Sequence, residues 1–392
     1  MSNKEIKQMY SYNKTTSYPL EILKASVTPI ASIFGSGFLV IVPILNGTLG
    51  YNAWVGMLLI CLLAYAVGST IRSNILIVEP LIIKKTLSKG LSRVEKSSDL
   101  ILSLAYCISI SLYLHVMVSF ILASINVQSL IVEQLIVCLL IIIIGAIGWF
   151  HGLSKLSILE NISLLVTVLM ILLVIISFIA NDYQFIYKVN SIHFSLPNHI
   201  SSWGILAVLG GSLIVVQGFE TTRYLGREYN SQVRIKACKF SQLFTTIIYM
   251  VLIFSLTPWL YNLNGISGAN GLFFLIRNTL PFLAIPLVCV AVLSQFSAAL
   301  ADTIAGAEDI IDNSKKKIDR KHAYLRVCVI AILFSFTKTY TVLVLSSKAF
   351  ALYYLFQGYL AFRLNRRVFK KVLYLLIQII LIWIVVFAKP IG

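Results

Sequence analysis

Two glycine-rich motifs lie inside long apolar stretches of the sequence. The first is Gly-Ser-Gly at residues 35–37, followed by Pro43; the second is Gly-Gly-Ser at 210–212 and Gln-Gly-Phe-Glu at 217–220. Glycine disfavours a helix by about 1 kcal/mol relative to alanine, and proline removes a backbone donor. Interrupted helices persist in lipid only where they line a cavity or are enclosed by protein. Their free N–H and carbonyl groups can then bind an anion or a cation.

Each motif alone has a second explanation, a packing face of small residues or a proline kink. The second motif lies five apolar stretches after the first, in the sixth stretch of the chain. Paired interruptions in corresponding positions of two halves are typical of inverted-repeat transporters. The pair therefore predicts broken first and sixth helices that face one cavity.

Ionisable and hydroxyl side chains inside apolar stretches are the next candidates, because charge in a membrane is costly and marks function. Glu220 can accept a proton at the second motif, or form a structural ion pair with Arg223. Asp302 can help to bind a cation or a proton, or can lie at the water-exposed end of its helix. Ser294 and Ser297 offer oxygen ligands for a possible Na⁺ site, and they are equally common as packing residues.

The composition shows what surrounds these residues. The 392 residues are 58% hydrophobic and only 12% charged, and the mean hydropathy is +0.89. Because too few polar residues remain to cover a surface, most of the exterior must face lipid. We predict an all-α integral membrane protein with about eleven transmembrane helices. The predicted spans are 21–47, 52–71, 99–126, 131–150, 157–180, 203–222, 241–261, 281–304, 323–338, 341–362 and 372–388.

The positive charges indicate the orientation of these spans. Alternate connections, starting with the N-terminus, carry 27 of the 32 Lys and Arg residues. This distribution follows the positive-inside rule, so we expect a multi-pass protein of the cell membrane with a cytoplasmic N-terminus and an external C-terminus. The excess charge is explained by topology, and a nucleic-acid partner is not expected.

Other chemistries have little support in the sequence. The six cysteines form no CxxC pair, the five histidines show no HxxH spacing, and no Walker loop is present. We therefore expect no firm metal site, no cofactor beyond a possible coupling ion, Na⁺ or H⁺, and no enzymatic activity. A membrane-embedded acyltransferase or protease is an alternative that only the intramembrane His115 supports.

The two motifs also resemble those of a known family. Phe34-Gly35-Ser36-Gly37-Phe38 resembles the first-helix glycine motif of the amino acid-polyamine-organocation (APC) superfamily. Gly218-Phe219-Glu220, with Glu228 and Asn230 after it, resembles the sixth-helix motif of that superfamily. The similarity extends over roughly residues 20–364 in helix order. It departs at Thr167, close to where proton-coupled members often have a lysine, and in the number of helices, eleven where twelve are usual.

The resemblance implies a five-plus-five inverted repeat that works by alternating access. The repeats would span residues 20–180 and 203–364, joined by an external loop at 181–202. Residues 1–19 would form a cytoplasmic segment, and 365–392 the eleventh helix with a short external C-terminus. The free backbone groups of the two motifs agree with this, and the expected substrate-binding residues are Ile33, Gly35, Ser36, Gly37, Phe38, Gln217, Gly218 and Phe219. The residues expected for coupling or gating, from their polar side chains in apolar stretches, are Glu220, Asp302, Ser294 and Ser297.

The implied function is a permease for amino acids or related small amines, coupled to H⁺ or Na⁺. Its partners would be the small-molecule substrate and the lipid bilayer, in an oligomeric state that the sequence does not define. A transporter-like sensor that binds a ligand without moving it remains the alternative, because no residue pattern distinguishes the two.

Overall fold

The computed structural model describes residues 18–153, 158–182, 201–263, 268–314 and 317–391. Every regular element in this part of the chain is helical. The α-helices are α1 (Tyr18–Leu49), α2 (Ala53–Ile83), α3 (Lys89–Ser124), α4 (Leu130–Phe150), α5 (Ile158–Asp182), α6 (Ser202–Gly211), α7 (Ser231–Leu256), α8 (Gly271–Thr279), α9 (Ala284–Asn313), α10 (Arg320–Ser335), α11 (Thr339–Leu364) and α12 (Val368–Phe387). The 3-10 helices are Gly50–Asn52, Leu213–Val216, Phe219–Arg227, Thr257–Leu263 and Pro281–Leu283.

Each predicted span coincides with helical structure. The short α8 lies between the seventh and eighth spans, so spans eight to eleven correspond to α9–α12. Within the described residues, eight stretches are long and apolar enough to cross a membrane. The chain is therefore a multi-pass membrane protein. Most of the predicted external loop and of the N-terminal segment lies outside the described residues.

The burial pattern separates a central scaffold from a lipid-facing periphery. Helix α3 packs along both α9 and α11, and all of its residues from Ala105 to Phe120 are buried. In contrast, α4 and α12 expose long apolar side chains, such as Ile131 at 69% and Phe369 at 83%. This arrangement suits a helical bundle in lipid, because peripheral helices can remain apolar on the outside.

Helix α1 is continuous through residues 35–37, so the prediction of a broken first helix is wrong. The two glycines serve close packing instead. A Cβ atom at Gly37 would collide with the Val215 carbonyl oxygen, and one at Gly35 would lie 3.2 Å from the Ala298 Cβ. Tertiary contact therefore outweighs the low helix propensity of glycine, which is the small-residue packing that the sequence left as an alternative.

The sixth span is interrupted as predicted. Helix α6 ends at Gly211, a 3-10 turn follows, and Gln217 is extended with φ −86° and ψ 160°. Gly218 has φ +131°, a conformation that other residues rarely adopt. A Cβ at this position would also lie 2.6 Å from Ser32 Oγ and 2.8 Å from the Ile33 backbone nitrogen. Gly218 thus allows both the break and its close contact with α1.

Candidate functional site

A cavity of about 490 Å³ lies between α1, α3, α5, α9 and the 3-10 helix Phe219–Arg227. Six of its lining side chains are carboxylates, and the described residues contribute no Lys, Arg or His to the lining. The six acids are Glu160, Glu228, Asp302, Glu308, Asp309 and Asp312. A cleft lined by one sign of charge and enclosed by apolar walls concentrates ions of the opposite sign. The cavity therefore favours cations.

The carboxylates follow a gradient of depth. Glu228, Glu308 and Asp312 are exposed where α9 and the 3-10 helix end, so this end forms the mouth. Glu308 lies 3.8 Å from Arg320, and both side chains are about 60% exposed, so their ion pair contributes little. Asp302 lies deep in the cavity and is only 8% exposed.

Asp302 is the most deeply buried of these carboxylates. One carboxylate oxygen, Oδ2, has no hydrogen-bond partner among the described residues. The hydroxyl-bearing side chains of Tyr113 and Ser109 on α3 lie close to the same carboxylate. Burying a carboxylate without a full set of hydrogen-bond partners costs free energy. A cation that binds beside Asp302 would therefore interact strongly with it.

Aromatic rings form part of the same walls. Phe34 of α1, Tyr106 and Tyr113 of α3, and Tyr224 of the 3-10 helix all line the cavity. Tyr106 and Tyr113 are seven residues apart, which places them on one face of α3. Ring faces attract cations, and organic ammonium groups are recognised by such rings together with carboxylates. A site of this size and lining can hold a small amine.

Glu220 lies next to the break but does not line the cavity. Its carboxylate is fully buried and accepts three hydrogen bonds. The donors are the Gly218 N–H at 3.0 Å, Gln217 Nε2 at 3.3 Å and the Tyr354 hydroxyl at 2.7 Å. The backbone N–H that the sequence offered to a substrate carboxylate is thus bonded to the chain's own acid.

Arg223 does not pair with Glu220. Its Nη2 lies 2.5 Å from Glu95 Oε1 on α3, and Arg234 of α7 contacts Glu79 of α2 at 2.6 Å. Arg234 also donates to the Arg223 carbonyl oxygen at 3.1 Å. These charged hydrogen bonds connect the end of the 3-10 helix to α2, α3 and α7. This network has no signal in the local sequence, because its partners are 128 and 155 residues apart.

The helical turn of α1 at residues 33–37, called the glycine turn below, has carbonyl oxygens that accept hydrogen bonds from side chains. Tyr249 of α7 is 3.1 Å from the Ile33 oxygen and 3.1 Å from the Val215 oxygen, so it bridges α1 and the sixth span. Gln295 Nε2 of α9 donates to the Gly35 oxygen at 2.5 Å. Ser294 bonds to the carbonyl of its own helix, at Ala291. The carbonyl oxygens of Ile33 and Gly35 therefore already have a donor beside them, which makes these two atoms less available as ligands of a sodium ion.

The predicted site residues therefore fall into two groups. Gly35, Ser294, Ser297 and Asp302 line the cavity. Those buried in the surrounding core, outside the lining, are Ile33, Gly37, Phe38, Gln217, Gly218, Phe219 and Glu220. The side chain of Ser36 lies outside the described part of the structure.

The two aromatic candidates both belong to the core. Phe219 stacks on Tyr354 with ring centroids 5.3 Å apart, and Phe38 is 2% exposed. In the part of the chain that the structure describes, no three His, Cys, Asp or Glu side chains are arranged to hold a metal ion.

Comparison with known sequences identifies the family. A family model described as APC superfamily transporter matches residues 18–388. An uncharacterized protein of Aquifex aeolicus (strain VF5) is 33% identical over 376 residues, which cover 93% of this chain and 90% of the relative. The chain therefore belongs to the APC superfamily of transporters.

Solved structures with a similar fold include a mutant of the Eremococcus coleocola manganese transporter. It has a TM-score of 0.59 and 11% sequence identity, and the match covers 95% of this chain and 87% of that one. The same transporter in complex with an aromatic bis-isothiourea substituted compound has a TM-score of 0.57 and 12% identity over the same shares. At such low identity the likeness shows the fold alone.

Proposed function

We propose that this transporter moves small organic cations, in particular amines or cationic amino acids, by alternating access. The observation that carries the proposal is the cavity of about 490 Å³, with six carboxylates, four aromatic rings and no basic side chain in its described lining. Exposed acids at the mouth attract the cation, and Asp302 and the tyrosine rings of α3 bind its ammonium group.

The substrate need not carry a carboxylate. A neutral amino acid has no net charge for the acidic cavity to attract and needs an anion-binding group for its carboxylate, and the Gly218 N–H that could serve is bonded to Glu220. A cationic amino acid has a carboxylate too, but it keeps a net positive charge that the acids of the cavity attract. Helix α1 is continuous, so its glycine turn presents no half-helix N-terminus. These features favour amines over neutral amino acids within the class expected from the sequence.

Coupling to protons is favoured over coupling to sodium. The carbonyl oxygens of Ile33 and Gly35 already accept hydrogen bonds from Tyr249 and Gln295. Glu220, in contrast, is an ionisable group at the helix break, and a change in its protonation would alter the bonds to Gly218 and Tyr354. We assign Glu220 the coupling role and Asp302 the substrate role.

The positive-inside orientation would place the mouth of the cavity on the cytoplasmic side, because α9 leads into the lysine-rich connection at 315–317. The conformation would then be open to the cytoplasm, with the Arg223–Glu95 pair holding the 3-10 helix in place. The inverted relation of residues 20–180 and 203–364 remains a prediction on which this cycle rests.

The proposal is tested by a screen of ligands for thermal stabilisation, followed by a transport assay. The purified chain is heated with mono- and diamines, lysine, leucine and Mn²⁺, since a ligand of the native state raises the midpoint of thermal unfolding, Tm. Stabilising compounds are then assayed for uptake into proteoliposomes. Saturable uptake of amines or lysine, with leucine at least about tenfold weaker in kcat/KM, supports the proposal. Equal uptake of leucine would contradict it, and a response to Mn²⁺ alone would indicate a metal transporter.

The remaining alternative is a sensor with a transporter fold. The same cavity would bind the same cations, and only flux distinguishes the two functions. Saturable binding without flux under any imposed ion gradient would support the sensor.

A further inference from the structure

A second crevice, of about 770 Å³, lies on the surface where α2, α11 and α12 meet. Three of its lining side chains are cationic: Arg363 at the end of α11, Arg366 in the link, and Lys371 in α12. No acidic residue is among the described side chains that line it. The crevice is separate from the substrate cavity and shares none of its lining residues.

The opposite wall of the crevice is apolar. Leu76, Ile77 and Leu81 of α2 line it, and Leu76 is 46% exposed. All three belong to a stretch apolar enough to cross a membrane. Beside the cations, Val368 and Phe369 in the first turn of α12 are 76% and 83% exposed. The crevice therefore spans the boundary between apolar surface and charged surface, which in a bilayer is the level of the lipid headgroups.

The position of the cations is fixed by the fold. Asn365 lies between Arg363 and Arg366 in sequence and is 5% exposed. Its side-chain Nδ2 donates to Ser73 Oγ of α2 at 3.3 Å, and its side-chain Oδ1 accepts a hydrogen bond from the Arg367 backbone N–H at 3.0 Å. The link between α11 and α12 is thus held against α2, and the two arginines that flank Asn365 are held beside the apolar wall.

We propose that this crevice binds one anionic phospholipid. Its phosphate would lie among Arg363, Arg366 and Lys371, and an acyl chain would lie along Leu76 and Ile77. Guanidinium groups match phosphate oxygens geometrically, and basic pockets between membrane helices on the cytoplasmic side recognise anionic headgroups. Because the wall of the crevice beside the cations is apolar, it favours a phosphate that carries an acyl chain over a soluble phosphate. The site is independent of the substrate proposed above and would stabilise the packing of α2 against α11 and α12.

The experiment measures lipid binding to the full chain in neutral detergent. Dioleoylphosphatidylglycerol is titrated while Tm and lipid retention in native mass spectra are recorded, with dioleoylphosphatidylcholine and glycerol 3-phosphate as reference ligands. We expect phosphatidylglycerol to raise Tm and to be retained in a 1:1 ratio. Removing two of the cations in Arg366→Gln/Lys371→Gln is expected to weaken its binding roughly 25-fold, at about fivefold per charge.

The matched control is Lys84→Gln/Lys85→Gln. It removes the same charge from exposed residues after α2 that do not line the crevice. Phosphatidylglycerol binding should change less than about threefold in this variant. Equal loss in both double variants would show diffuse surface attraction and overturn the proposal. Equal stabilisation by phosphatidylcholine, or by glycerol 3-phosphate, would overturn it as well, the latter in favour of a soluble anion.

Discussion

Substitution of Asp302 by Asn removes the negative charge at the bottom of the cavity while keeping the size of the side chain. Asp302 is 8% exposed and has an oxygen without a hydrogen-bond partner, so a bound ammonium group would be its main charge partner. Loss of one member of a buried charge pair costs about 2–5 kcal/mol. Because water reaches this cavity through its mouth, we expect the lower part of that range, about 2–3 kcal/mol. That corresponds to a 30- to 150-fold higher Kd for the amine.

The assay is equilibrium binding of a labelled amine to detergent-solubilised protein, with Asp312→Asn as the matched control. Asp312 lines the same cavity but is exposed at its mouth, so its loss should raise Kd less than about fivefold. Asp302→Asn should also raise Tm of the empty protein, because it removes a poorly solvated charge. Equal effects of the two substitutions on Kd would refute the assignment of Asp302, and amine transport itself could still stand.

Two further substitutions test the broken sixth span. Gly218→Ala should lower the free energy of unfolding by about 2–6 kcal/mol, from backbone strain at φ +131° and contacts with Ser32 and Ile33, and Tm should fall accordingly. The control is Gly90→Ala, at a helical position with no atom within 4 Å of the added Cβ, which should be neutral or stabilising by up to about 1 kcal/mol. Similar Tm values for both variants would contradict the claim that the helix break requires glycine at position 218. Glu220→Gln should abolish uptake driven by a pH gradient while leaving amine Kd within about threefold, as measured in proteoliposomes and by binding. An unchanged dependence of uptake on pH would remove Glu220 from the coupling role.

The helices could be predicted from the sequence because lipid imposes a simple rule on apolar length. The interruption at Gly218 could also be predicted, since a glycine close to a glutamate disfavours a continuous transmembrane helix. The interruption predicted at residues 35–37 is absent, since α1 is continuous there. There, contacts with Val215 and Ala298 keep the glycines helical, and such contacts are invisible in local sequence.

The site was only partly predictable. Asp302 and the two serines of α9 stood out as polar groups in an apolar stretch, and they do line the cavity. Glu308, Asp309 and Asp312 did not, because acids near a helix end are usually solvated. Their close spacing near the end of α9 is the feature of the sequence that indicates a shared site. Six of the 15 acidic residues come together at one cavity only in the folded chain. Tyr249 could not be identified, since its role depends on the approach of α1 to the sixth span.

Above all, we propose that the cavity carries organic cations across the membrane. This proposal needs a measurement of transport. It is tested most directly by the uptake of a labelled amine into proteoliposomes with and without an imposed pH gradient. We expect saturable, protein-dependent uptake in which the internal amine concentration exceeds the external one while the pH gradient is present. The two concentrations should only become equal when a protonophore removes the gradient. Saturable binding to the same protein with no accumulation inside the vesicles, under either condition, would contradict it.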